Sequence, residues 1–245
     1  MPGEPNADAV PTSRVALAPR WMTYTQGEGH VRRGVLRVGL AALAIGLGSF
    51  SSTAQSAKTP DNALVAALLW GEYDGIDLSK YPPQVKAELE RASERFEAYQ
   101  SPRPRPVSSS EEEMLYAATV RYERLLVAFT ADRKAQALAV EYVDMLRPCY
   151  EWEGYHDCPE REASYAREHL TANPGGPFTE YLPLLAGHRW LCTAEAYEHE
   201  KRPEDAARSR RASAAAIQTA RRSTALVIRR AAEALEAHGR CHFPG

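Results

Sequence analysis

Phenylalanine is scarce in this chain of 245 residues: 5 Phe stand against 12 Tyr and 4 Trp. Most of its aromatic rings therefore carry a polar edge that must meet water or a hydrogen-bond partner. Cysteine is as rare, at 4, and none precedes Cys149, which excludes a lipid-bearing cysteine near the N-terminus. A surplus of charge is also missing. The 30 Lys and Arg face 32 Asp and Glu, which leaves no global attraction for nucleic acid, and no nucleic-acid partner is expected. No apolar run reaches the about 20 residues that a spanning helix needs. Phosphate loops, dinucleotide fingerprints and nucleophile motifs are absent, so those enzyme classes have no support in the sequence. Apolar residues nowhere alternate, and no Asn-Gly or Asp-Gly turn separates β-branched runs, so strands are not expected.

What is present begins with an export pattern. Arg32, Arg33 and Arg37 precede an apolar run of 13 residues from Val38 to Phe50, and "STAQSA" follows, with Ala54 and Ser56 placed for cleavage before Ala57. "RRGVLR" resembles a twin-arginine signal, although the usual Ser/Thr before the pair and Phe after it are absent. Residues 1–21 precede the pattern, and Met22 is an alternative start. Residues 1–56 are accordingly set apart as an N-terminal extension and export signal, and the remaining 189 carry 25 basic against 29 acidic residues. The expected destination is the periplasm or the exterior, with no stable membrane anchor after cleavage. Four cysteines there, 149, 158, 192 and 241, are most simply two disulfides with three possible connectivities.

The mature part reads as all-α. Asp61 caps a short helix that Gly71 ends, and Val85, Leu89, Ala92 and Phe96 mark one face of the next. These form N-terminal helices over 57–100, and "SPRPRPVSSS" over 101–110 is a Pro/Ser linker. From 111 to 245 the pattern predicts a disulfide-stapled helical domain. Ser110 and Glu113 form a capping box, with Leu115, Ala118, Tyr122, Leu125 and Phe129 as the stripe behind it. Leu138, Tyr142, Met145 and Leu146 mark a further helix that stops before Pro148, and Pro159 starts another. Pro183 opens the next, which runs to about Lys201, and Pro203 opens a last helix that Gly239 closes.

"RWLCTAEAYEHEKRPEDAA" resembles a tetratricopeptide helix pair: Trp190, Ala194, Tyr197 and Ala206 match four of its spacings. The likeness covers about one repeat and departs after Ala206, where Arg210 and Gln218 replace the expected aromatic and proline. "AFTADRKAQALA" lies 68 residues upstream of "AYEHEKRPEDAA", two periods of about 34. The resemblance implies antiparallel helical hairpins in a tetratricopeptide-like array or bundle.

Three constellations could carry function. Between Cys149 and Cys158 lie Tyr150, Glu151, Trp152, Glu153, Tyr155, His156 and Asp157. Eight residues between the cysteines exceed a zinc knuckle's spacing, and only Glu151, Glu153 and Gly154 approximate a calcium loop. Glu151 and Glu153 could be drawn as a glycosidase pair, with His156 as the other titratable candidate for a small helical hydrolase of envelope or extracellular polymers. The reading preferred is a stapled corner between two helices whose aromatics and carboxylates recognise an unknown protein or peptide partner, basic or polar in character. On one helix face, His188, Cys192, Glu195 and His199 are spaced for a metal-binding helical bundle, but Glu195 to His199 is one residue longer than the Glu-x-x-His step. Arginines 208, 210, 211, 221, 222, 229 and 230 scatter round the last helix and read as a solvated face. No catalytic residue, metal or cofactor is assigned.

The disulfides make a geometric demand. If Cys149 pairs with Cys158, Cys192 must pair with Cys241. A continuous last helix would carry Cys241 roughly 50 Å or more from the turn at Arg202. That pairing therefore requires a break near "TARRST", where no Gly or Pro stands. With a continuous helix, Cys158–Cys192 is the alternative.

Overall fold

The computed structural model describes residues 61–107, 109–146 and 154–242. Its regular structure is entirely helical: α1 (Asn62–Trp70), α2 (Pro83–Ala98), α3 (Ser110–Ala128), α4 (Ala135–Leu146), α5 (Asp157–Ala172), α6 (Leu182–His199), α7 (Pro203–Ala220) and α8 (Leu226–His238). No strand occurs among the described residues. The export pattern, Cys149 and the stretch Tyr150 to Glu153 lie outside them.

Helix α1 is short and apolar on nearly every side, as a helix buried all round must be, and Leu64, Val65, Ala67, Leu68 and Leu69 are all buried. Asp61 starts it by accepting the Leu64 amide at 3.2 Å and the Tyr81 hydroxyl at 2.9 Å. Gly71 ends it at φ 69°, where a Cβ would also stand 2.5 Å from Cζ of Phe96. Glycine is demanded there both by the left-handed backbone and by the ring packed against it. Val85, Leu89, Ala92 and Phe96 bring α2 onto the same core.

That core is continuous. Leu64, Leu89, Leu126, Tyr142, Leu185 and Ile228, from α1, α2, α3, α4, α6 and α8, are all fully buried within it, so helices on both sides of the Pro/Ser stretch share it. Helix α6 is the axis. Fourteen of its residues are buried, with α5 and α7 packed along it. At Gly187 a Cβ would meet Cγ1 of Ile217 at 2.7 Å, and Ser213 donates to the Gly187 carbonyl at 2.7 Å. A glycine thus lets α7 lie against α6 with its serine on the neighbouring backbone.

Several boundaries differ from the sequence reading. The cap of α3 is Ser109, whose hydroxyl accepts the Glu112 amide at 3.1 Å, so the cap is displaced by one residue from Ser110. Its buried face is Thr119, Val120, Glu123 and Leu125 to Ala128, because α3 meets α2 on one side and α4 on another, and a single stripe describes neither contact. Met145 points outward, 38% exposed. Helix α5 begins at Asp157, two residues ahead of Pro159.

The largest difference is the last helix, which is two. Ser223 and Thr224 interrupt it, and the carboxylate of Glu180 accepts the Ser223 hydroxyl, the Thr224 amide (2.9 Å) and the Thr224 hydroxyl (3.0 Å). Helix α8 has no side-chain cap of its own; Glu88 of α2 accepts the Val227 amide at 2.8 Å. Orphan amides at a helix start need acceptors; here Glu88 supplies one to α8, and Glu180 holds the turn that precedes it. Gly239, at φ 66°, closes α8, and the chain then turns back to α6, where Cys241 is bonded to Cys192.

Candidate functional site

The corner that opens α5 is described from Gly154 onward. Tyr155 is 59% exposed and Asp157 is exposed in the first turn of α5, where its charge suits the helix dipole. His156 does not face outward freely. Its ring stacks on Tyr197 of α6, with centroids 4.3 Å apart and planes 22° from parallel. Nδ1 lies 2.7 and 2.8 Å from the two carboxylate oxygens of Glu200, which also accepts the His156 amide at 3.1 Å. The Arg202 guanidinium sits 4.3 Å from the centroid of the Tyr197 ring and is paired with Asp205 at 2.6 Å. The turn between α6 and α7, with Lys201 at φ 60°, brings Glu200, Arg202 and Asp205 to this place. Cys158 is disulfide-bonded, one residue inside α5.

The electrostatics follow from these contacts. The hydrogen bond from His156 holds the Glu200 carboxyl below the usual carboxylate range, and that from Arg202 does the same for Asp205. Burial, then the hydrogen bond to Glu160 at 2.6 Å, pushes the Tyr197 phenol up to about 12. His156, Glu200, Arg202 and Asp205 are thus committed to one another, and Tyr155 presents a large exposed ring beside them.

Protein-family models, curated proteins and solved structures were compared with this chain, and none matches.

The face carrying His188, Cys192 and Glu195 is brought together. All three converge on Cys241. His188 Nε2 is 2.8 Å from its carbonyl oxygen, Glu195 accepts its amide at 3.0 Å, and its sulfur is bonded to that of Cys192. His199 is exposed. Among the described residues it is the returning chain at Cys241 that meets this face.

Two further groups were not visible in the sequence. Glu162 of α5 accepts the Tyr122 hydroxyl at 2.5 Å and Arg189 Nε at 2.5 Å, and Arg189 reaches His188 Nδ1 at 2.9 Å. Burial raises the Tyr122 phenol well above its ordinary value. With one carboxylate, and that one neutralised by a guanidinium, the cluster lacks the two-carboxyl arrangement of a glycosidase. A second group lies at the Pro/Ser stretch: Glu123, wholly buried on α3, accepts the Tyr99 and Ser101 hydroxyls, each at 2.8 Å, and the Nε of Arg103. The one sequence signal for either was an acidic residue inside a helix pattern, which usually marks a solvated face. A groove of about 540 Å³ runs along α3, lined by Arg105, Met114, Tyr116, Val120 and Arg124 among others. No helix among the described residues is long and apolar enough to cross a membrane.

Proposed function

We propose that the protein is an exported helical scaffold that recognises a protein or peptide through the corner opening α5, with α6 and α7 as a tetratricopeptide-like hairpin that braces it. The observation that carries this reading is the contrast between neighbours: Tyr155 is 59% exposed, while His156 beside it is stacked on Tyr197 and gripped by Glu200. An aromatic presented on a preorganised support loses little freedom on binding, which is the property of an interface anchor. Asp157, with Glu151 and Glu153, makes the local charge negative and favours a basic or polar partner. The exported location rests on the arginine and apolar pattern of residues 32–57 and on cysteines that are disulfide-bonded.

The test compares two variants with the wild type in capture from the envelope and secreted fractions of the producing cell. Tyr155→Ala is expected to leave the unfolding free energy within about 0.5 kcal/mol of wild type and to abolish capture. Trp152→Ala is expected to behave alike. Capture left intact by both substitutions would sink the recognition reading, as would a Trp152→Ala loss of about 3–5 kcal/mol with capture preserved, the mark of a packing role.

A further inference from the structure

We infer that the groove along α3 binds a monocarboxylate with an apolar chain, a medium-chain fatty acid by its chemistry, with the carboxylate held by Arg124. The inference is independent of the recognition corner. Glu113, Ala117, Val120 and Arg124 line the groove at intervals of four, three and four, and so share one face of α3. Arg105 reaches it from the Pro/Ser stretch. That stretch is fixed to α3 and α4 where Arg103 meets Glu123 and Asp144, so the two sides of the groove stand in place before any ligand arrives.

Charge decides what fits. Arginines 103, 105, 121 and 124 stand on α3 and the Pro/Ser stretch. Arg103 is paired with Glu123 and Asp144, Arg105 with Glu113 at 3.1 Å, and Arg121 with Glu72 at 3.8 Å. Arg124 alone of the four has no carboxylate partner among the described residues, and its Nε is buried without an acceptor. Its guanidinium carbon lies 5.7 Å from the centroid of the buried Phe96 ring, so an aromatic face positions the cation and no counter-charge does. Within the lining, Glu113 cancels Arg105, and the charge of Arg124 is left over. A single anionic group completes the set. A guanidinium offers its N–H groups as a fork that matches the two oxygens of a carboxylate.

The remaining lining suits an apolar chain. Val120 is buried, and Met114 is 44% exposed, an open apolar side chain whose flexible thioether adapts to what covers it. From Arg124 to Met114 the helix rises about 15 Å, the reach of an extended medium-chain acid. The groove's volume of about 540 Å³ is that of a small-molecule site and too small for a folded partner. Glu111, Glu112 and Glu113 crowd the first turn of α3 beyond Met114. A second negative group would be repelled there, which sets the head at Arg124 and the tail towards Met114 and disfavours a dicarboxylate or a longer acidic peptide.

The experiment titrates the full chain with laurate below its micelle concentration, followed by calorimetry and by NMR of isotope-labelled methionine methyls. The expected result is about one laurate per chain and a shift of the Met114 methyl. Met145 on α4, 38% exposed, should stay unmoved and controls for adsorption of the chain to any open apolar surface. Dodecylammonium, of the same length and opposite charge, should leave Met114 unmoved. Arg124→Gln should weaken laurate binding by about 10- to 100-fold, the worth of charged hydrogen bonds. Because Arg124 also packs on Phe96, Ala117→Glu is the companion variant. It lies at an exposed helical position, should leave the melting temperature unchanged, and should weaken binding at least about 10-fold by placing a carboxylate in the groove. Absence of binding, equal shifts at Met114 and Met145, equal effects of laurate and dodecylammonium, or undiminished binding in either folded variant would overturn the inference. An acidic, apolar peptide that moves Met114 where laurate does not would also overturn it, and would reassign the groove to a peptide.

Discussion

Two irregular segments are fastened to different helices by opposite means. The chain beyond Gly239 is held on α6 by the bond between Cys192 and Cys241, while the Pro/Ser stretch after α2 is held on α3 and α4 by charge. Arg103 places Nε on Glu123, Nη1 on Asp144 at 2.9 Å and Nη2 on the Val140 carbonyl at 3.1 Å, and Tyr99 and Ser101 satisfy the rest of the Glu123 carboxylate. The covalent clasp requires one contact and acts chiefly by restricting the unfolded chain. The ionic clasp takes a carboxylate wholly out of water, and every oxygen must find a donor for the burial to be tolerated. Stability in the first is a property of connectivity; in the second it depends on a complete set of partners.

Breaking the ionic clasp should cost the most. Glu123→Ala leaves Arg103, 20% exposed, without its main counter-charge, and unfolding in denaturant is expected to show a loss of about 3–5 kcal/mol. A loss below about 1 kcal/mol would mean that the stretch contributes little as a clasp. The covalent clasp comes next. Its sequence separation of 49 residues gives about 4 kcal/mol in the loop-entropy picture, at the upper edge of the usual 2–4, so Cys241→Ser in oxidising, metal-free buffer should destabilise by about 2–4 kcal/mol. The slope of unfolding against denaturant separates the cases further, because a denatured chain freed of its cross-link expands while one lacking Glu123 does not.

Acid should reach the covalent clasp first. Burial, and then Arg189, hold the His188 imidazole well below its ordinary pKa, with His238 and His242 acting in the same sense and the Cys241 carbonyl opposing them. Above about pH 6.5 the ring is neutral in the folded and unfolded chain alike, and its burial costs nothing in protonation. Below that value the unfolded chain takes up a proton that the folded chain refuses, so stability falls as pH falls, by about 1 kcal/mol near pH 5.5. Thermal melts between pH 7.5 and 5.5 should show this decline in the wild type and a flatter course in His188→Gln. An unchanged slope would place the acid sensitivity elsewhere, with His169, also lowered by burial, the next residue to substitute.

Much of the fold was legible because helix signals are local. Asp61 meets the amide of Leu64 three residues on, and Gly71 and Gly239 close helices through their own amides. The face of α2 follows from intervals of four and three in one short stretch. The break between α7 and α8 was legible only as a demand of disulfide geometry, with nothing at 219–224 to mark it. Its cause lies 43 residues away at Glu180 and 139 residues away at Glu88. Met145 shows the converse, an apolar residue in register with a core face that the neighbouring helices leave exposed.

The sequence by itself determined that the described chain is helical and where most helices start and stop, because a cap and its partner amide lie within one turn. Tertiary structure alone decided which cysteine meets Cys241, that Glu123 and His188 are buried rather than solvated, and that Tyr155 stays exposed while His156 is held. The contacts behind these outcomes join groups 20 to 53 residues apart, and a pattern within one helix states which face is apolar but not which partner arrives there. Burial of a polar group is decided by whether its donors arrive together, and only the packed helices bring them.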